Sequence, residues 1–129
     1  LANVLDSLGD ASVQLADLTA ARRYFGEALE ITWRTRALPM TLNLCVRYAT
    51  VFHLEGQSER AYTLVLIPFM HPASTYVYKQ RAEKLLKEIE TSLPQDWTAA
   101  QREIANPDRL EAAVRELLIF EADLPAAVA

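Results

Sequence analysis

The stretch LGDASVQLADLTAARRYFGEAL, Leu8 to Leu29, sets small residues where an amphipathic helix normally carries large ones. Gly9, Ala16, Ala21 and Ala28 sit among Leu8, Leu15, Leu18, Tyr24, Phe25 and Leu29. A face this thin has a physical use: small side chains let two helix backbones approach closely, and one large ring such as Phe25 fills the space left between them. The spacing predicts two helices packed face to face and hinged at Ala16-Asp17-Leu18.

Around that hairpin the chain reads as helix throughout. It has 129 residues, of which 51% are hydrophobic, enough for one domain with a real core. It contains only three glycines, and its apolar residues recur at steps of three and four, which predicts an all-α fold of about seven helices and leaves no segment for strands. The first helix is expected over Leu1 to Ala16, with Val4, Leu5, Leu8, Ser12 and Leu15 on its core stripe. After a turn at Asp17 to Thr19, a second helix runs to Arg36. It buries Ala21, Phe25, Ala28 and Leu29 and ends in Arg34 and Arg36, cations suited to a helix C-terminus. A third, Pro39 to Leu54, buries Leu42, Cys45, Tyr48, Ala49 and Phe52 and is ended by Gly56. Ser58 is expected to cap the fourth, which runs to Met70 with Pro68 kinking or stopping its last turn.

The fifth helix is expected from Pro72 to Leu93, with Tyr78, Ala82, Leu85, Leu86, Ile89 and Leu93 in register and Glu83 supporting Lys87. Pro94 breaks it. A short helix over Asp96 to Ile104 follows, and Asn106-Pro107 opens a seventh that runs through Leu118. The end beyond Glu121 is expected to fray, so 122–129 reads as a flexible tail.

A shift of 40 residues lays Asn3 on Asn43, Gly9 on Ala49, Ala21 on Ala61 and Phe25 on Val65. A helical hairpin of this size cannot bury its own apolar face, so repeated hairpins are expected to stack on one another. The residues Leu8-Gly9, the turn Ala16-Asp17-Leu18, and Ala21, Phe25 and Ala28 resemble a tetratricopeptide repeat. Tyr48-Ala49, Phe52, Gly56 and Ala61 form a second, degenerate copy, in which Pro68 replaces a small helical residue and the period is about six residues longer than the usual 34. The resemblance implies a right-handed α-solenoid of antiparallel helix pairs over residues 1–71, followed by C-terminal capping helices over 72–121. It also implies a ligand groove lined by the first helix of each pair. On this chain that groove holds Asn3, Asp6, Asp10 and Val13 from one copy and Asn43, Val46, Thr50 and His53 from the next. Longer repeats of this sort are similar to the sensor arms of large bacterial signal-transduction ATPases and transcriptional activators.

The residues carry no standard catalytic signature. Cys45 and His53 lie on one expected helix about 12 Å apart along its axis, too far to share a metal ion. There is no H-E-x-x-H, C-x-x-C, G-x-S-x-G or glycine-rich phosphate loop, so the segment is not expected to be an enzyme or to need a cofactor or metal. His71 reads as a loop or cap residue, Arg22-Arg23 and Lys79 to Lys87 as solvated helix faces, and Trp33 and Trp97 as packing residues. A net charge of -4 argues against nucleic acid as a partner. The longest apolar runs, Val65 to Met70 and Leu117 to Phe120, fall far short of the roughly 20 residues that span a bilayer. A single cysteine fits a cytoplasmic location. The chain opens with LANVLDSLGD, which has neither an initiator Met nor a signal sequence, so a continuation of the solenoid upstream in a parent chain is expected.

These readings point to a noncatalytic protein-protein interaction or sensor module of a larger bacterial regulator. The alternative is a purely structural cap or oligomerisation element. Asp6 and Asp10 make a basic protein or peptide segment the expected partner and disfavour the carboxylate clamp that grips peptide C-termini, which needs cations in this groove. If the small residues mark a helix contact, Gly9→Leu or Ala21→Leu destabilises by about 1–3 kcal/mol through overpacking, whereas Arg23→Ala is nearly neutral. Urea unfolding of the three variants checks this, and equal losses would remove the small residues from the contact.

Overall fold

Three residues turn the chain with a left-handed backbone: Ala16 at φ 61°, Arg36 at φ 59° and Gly56 at φ 84°, spaced 20 residues apart. The same hydrogen bonds close each turn. The amide of Asp17 donates to the carbonyl of Ser12 at 2.9 Å, that of Ala37 to Thr32 at 2.8 Å and that of Gln57 to Phe52 at 2.8 Å. The left-handed residue itself donates to the carbonyl three positions back, from Ala16 to Val13, Arg36 to Trp33 and Gly56 to His53. Each turn is thus a Schellman closure, which satisfies the orphan carbonyls of the helix it ends.

The structure, a computed structural model, describes residues 1–122, with side chains described through Ile119. The described residues form seven α-helices and no strand: α1 (Ala2–Gln14), α2 (Leu18–Arg34), α3 (Leu38–Leu54), α4 (Ser58–Met70), α5 (Tyr76–Glu90), α6 (Gln95–Ile104) and α7 (Leu110–Ala122). A single 3-10 turn, Pro107–Arg109, leads into α7. Each of the first four helices packs on the next in order, and α3 also touches α1 and α5, so these three lie side by side. The end of the chain then turns back. α6 and the 3-10 turn lie against α4, and α7 packs on α2.

Close approach at the first hairpin is direct. Gly9 is buried against Phe25, and a Cβ added there would meet the ring with Cδ1 at 2.6 Å and Cζ at 2.8 Å. Phe25 is fully buried and continues into a tilted stack, with its ring centroid 6.2 Å from Tyr48, which in turn lies 6.1 Å from Phe52. The core residues expected on α2 and α3 are all buried, as are Ala82, Leu85, Leu86 and Ile89 of α5. Tyr78 and Leu93 are half-buried.

Several sequence-based expectations need correction. The core stripe of α1 is Leu5, Gly9 and Ser12, while Val4, Leu8 and Leu15 are 57%, 43% and 81% exposed. The left-handed residues stop α1 and α2 two residues early. Arg36 therefore lies in a turn, with its guanidinium 5.1 Å from the Trp33 ring centroid. Ser58 does not cap α4: Gln57 is the N-cap with no side-chain bond, and Ser58 Oγ pairs with His53 Nδ1 at 2.9 Å. α4 does end at Met70 as expected, with Pro68 inside its last turn, where the ring leaves the ladder without one N–H donor. The Pro68 carbonyl accepts a 2.6 Å bond from Ser74 Oγ. α5 begins at Tyr76, not at Pro72, since Thr75 is the residue whose hydroxyl accepts from the Tyr78 amide. Asn106 does accept from Asp108, but the turn it starts is 3-10, and α7 extends to Ala122. Of the expected flexible tail, 122–129, Ala122 belongs to α7 and 123–129 lie outside the described residues.

The turns predict opposite effects for one kind of exchange. A Cβ at Gly56 would have nothing within 4 Å, so Gly56→Ala carries backbone strain alone and is expected to cost about 1 kcal/mol. Ala16→Gly relieves the same strain and is expected to gain about 0.5–1 kcal/mol, with both shifts read as changes in the urea midpoint.

Candidate functional site

The eight residues expected to line a groove lie on α1 and α3, two of the three side-by-side helices. The structure brings them onto neighbouring helices and gives them different surroundings. Asn3 is exposed, and Val13, Thr50 and His53 are half-buried at the surface. Val46 and Asn43 are only 1% exposed, so they belong to the interior. Thr50 Oγ1 donates to the Val46 carbonyl at 3.0 Å, the ordinary back-bond of a helical threonine.

Asp6 and Asp10 share a partner that the sequence reading did not assign. Arg47 of α3 grips Asp6 with two bonds, Nε to Oδ1 at 2.9 Å and Nη2 to Oδ2 at 3.2 Å, and reaches Asp10 Oδ1 with Nη1 at 3.2 Å. The bidentate fork fixes the orientation of α1 against α3. It also lowers the charge of the patch, since two carboxylates and one guanidinium leave a single negative charge. Asp6 keeps 13% of its side chain exposed and Asp10 keeps 44%, so Asp10 is the carboxylate open to solvent.

A second arginine repeats the device one helix on. Arg81 of α5 donates to the Asn43 Oδ1 at 2.7 Å, and its guanidinium lies 5.6 Å from the Tyr78 ring centroid. The buried Asn43 is satisfied in this way, with its amide nitrogen 3.7 Å from Met40 Sδ. Helical periodicity places Arg47 and Arg81 near this face. Which carboxylate or amide each one reaches depends on the approach of helices about 40 residues apart in sequence, a distance no local pattern encodes.

At the other end, α6 is held by a polar knot. The Tyr62 hydroxyl donates to Glu90 Oε2 at 2.6 Å, and Arg102 reaches the same oxygen with Nη2 at 2.8 Å and the Tyr62 oxygen with Nε at 2.9 Å. Burial pushes the Glu90 carboxyl up, but the bonds from Tyr62 and Arg102 and the charges of Arg102 and Lys87 outweigh it, so Glu90 titrates below the usual carboxylate value. Burial and the bond to Glu90 raise Tyr62, and the bond to Glu90 raises Arg102. The Trp97 ring lies 5.8 Å from that of Tyr62, which gives this tryptophan a packing role.

Behind the knot, α4, α6 and α7 line a cleft of about 490 Å³ with mixed walls, including Leu64, Ile67, Ala113 and Leu117 beside Thr63, Gln101 and Arg109. The sequence reading, which looked for a shallow open surface, missed it, because no sequence signal brings α7 back over α2. Among the described residues no three His, Cys, Asp or Glu side chains could hold a metal ion together, and no helix is long and apolar enough to cross a membrane. Compared with known proteins, the chain matches no family model, no curated protein and no solved structure.

The knot gives a pH dependence whose sign follows from Glu90. A carboxyl whose folded pKa lies below its unfolded one contributes stability above the unfolded value, about 4.3, and loses it as pH falls through the folded one. Glu90→Gln is therefore expected to be less stable than the parent at pH 7 by about 1 kcal/mol, a modest figure because the pair is partly solvated. The gap should narrow as pH falls below the unfolded value. Urea unfolding at pH 7 and pH 3 checks this, and a gap unchanged at pH 3 would mean that the carboxylate charge plays no part.

Proposed function

We propose that the chain is a noncatalytic interaction or sensor module, a tetratricopeptide-like α-solenoid segment of a larger cytoplasmic regulator of bacterial type, that presents the face of α1, α3 and α5 to a protein or peptide segment. The observation that carries this reading is the recurrence of one turn at Ala16, Arg36 and Gly56. A turn repeated at a fixed interval sets successive helices in a regular array, and such arrays serve by offering extended surfaces. The cross-links from Arg47 to Asp6 and from Arg81 to Asn43 support it further, since they hold the three surface helices in fixed relation. A basic group on the partner would find Asp10, whose side chain is 44% exposed, and not the pair of free carboxylates expected from sequence.

A second reading has its own support. The return of α7 onto α2 covers the side of the array opposite the proposed face, as a terminating element would, and this favours a structural cap. Photo-crosslinking separates the two. With a benzophenone side chain at Val13 or at Thr50, the full-length protein in its own cells should give an adduct to one and the same protein from both positions. Exposed Glu30 of α2 and Glu103 of α6 serve as controls and should give none. Adducts absent from the face positions, or equal at all four, would favour the cap.

A further inference from the structure

Leu1, Val4, Leu8, Ala11 and Leu15 follow one another at alternating steps of three and four residues, the spacing of a seam that receives a single helix. The seam is open. Leu1 is 82% exposed, Val4 57%, Leu8 43% and Leu15 81%, because α1 turns Leu5, Gly9 and Ser12 inward. Isolated surface leucines need no explanation, but a continuous stripe does.

The repeat says what belongs there. Moved forward by 40 residues, the five positions are Thr41, Leu44, Tyr48 and Val51 of α3 and its C-cap, Glu55. The first four have no exposure at all. They belong to the side of α3 that meets α2: Thr41 Oγ1 donates to Thr32 Oγ1 at 3.0 Å, the Tyr48 hydroxyl donates to the Arg22 carbonyl at 3.3 Å, and Glu55 holds Arg22 Nη1 at 3.3 Å. These contacts run antiparallel, the late end of α3 against the early end of α2.

We propose that the stripe on α1 is the docking seam for a helix that packs on it as α2 packs on α3, the second helix of a preceding repeat, entering through the same left-handed turn. The inference rests on the repeat reading given above and adds the chemistry of the incoming helix. Leucines stand at positions 1 and 15 where α3 has Thr41 and Glu55, so the incoming helix carries apolar side chains where α2 offers the Thr32 hydroxyl and the Arg22 guanidinium. Leu8 is smaller than Tyr48, so the side chain facing it is bulkier than its α2 counterpart.

The test extends the chain at its N-terminus with a second copy of residues 17–40, carrying Arg22→Leu and Thr32→Val in the copy. Met40 of the copy then joins Leu1 directly and keeps the register of the native turn into Thr41. Leu8→Cys supplies a thiol on the seam. The natural Cys45 stays silent, because burial excludes reagent and pushes its thiol up to about 12. In the unextended chain Leu8→Cys should react with a thiol reagent as an exposed group does, and in the extended chain at least tenfold more slowly. Val4→Cys repeats the measurement at a second position. Equal rates with and without the extension overturn the proposal. So does slow labelling of the unextended chain that deepens as its concentration rises, which would assign the seam to a second copy. Crosslinking from Val13 and Thr50 reads a different face, so failure there leaves these rates unaffected.

Discussion

The left-handed residue after each of α1, α2 and α3 is the constraint on which the rest depends. It reverses the chain within three residues and leaves the next helix antiparallel, with its first turn beginning at a fixed place. Once that entry is fixed, the packing has little freedom. Gly9 must lack a side chain because α2 returns with the Phe25 ring at the point a Cβ would occupy. Phe25 then sets the position of Tyr48, and Tyr48 that of Phe52, so aromatic contact carries the geometry of the first hairpin into the second.

Arginines supply what the apolar contacts leave loose. Arg47 ties α3 to α1, Arg81 ties α5 to α3, and Arg102 ties α6 to α5 and α4 through Glu90 and Tyr62. Hydrophobic burial is nondirectional and tolerates sliding between helices, whereas a planar fork gripping a carboxylate fixes both distance and angle. The two ion-paired links differ in exposure. Arg47 and Asp6 keep 18% and 13% of their side chains in solvent, Arg102 and Glu90 keep 41% and 31%, and the first pair accordingly feels less screening.

Helix type and the inner faces of α2, α3 and α5 were legible in the sequence, because a 3.6-residue period in apolar residues is a local signal. Helix ends were less so. Ser58 and Pro72 have the chemistry of a cap and a first-turn proline, but the turn at Gly56 and the hydroxyl of Thr75 decide where α4 and α5 begin. The stripe on α1 shows a deeper limit. Val4, Leu8 and Leu15 have the period of a core face, and periodicity cannot tell a buried stripe from an exposed one, which depends on what lies opposite. On the candidate face the residue types were read from sequence, but the pairing of Asp6 and Asp10 with Arg47, and the burial of Asn43 and Val46, arise only when helices far apart in sequence come together. The cleft behind α4 was invisible for the same reason.

The return of α7 to α2 changes how the fold comes apart. Through α5 the helices touch chiefly their neighbours in order, an arrangement that on its own would open piecemeal from either end. α7 closes that line into a ring by burying Leu110, Val114 and Leu117 in the common core and by packing on a helix some 80 residues earlier in the chain. This one distant contact raises the loop-closure entropy that folding must overcome, so it slows folding. In return the two ends of the array are coupled: peeling away α7 uncovers α2, and the first hairpin and the last helix melt as one cooperative unit instead of fraying separately.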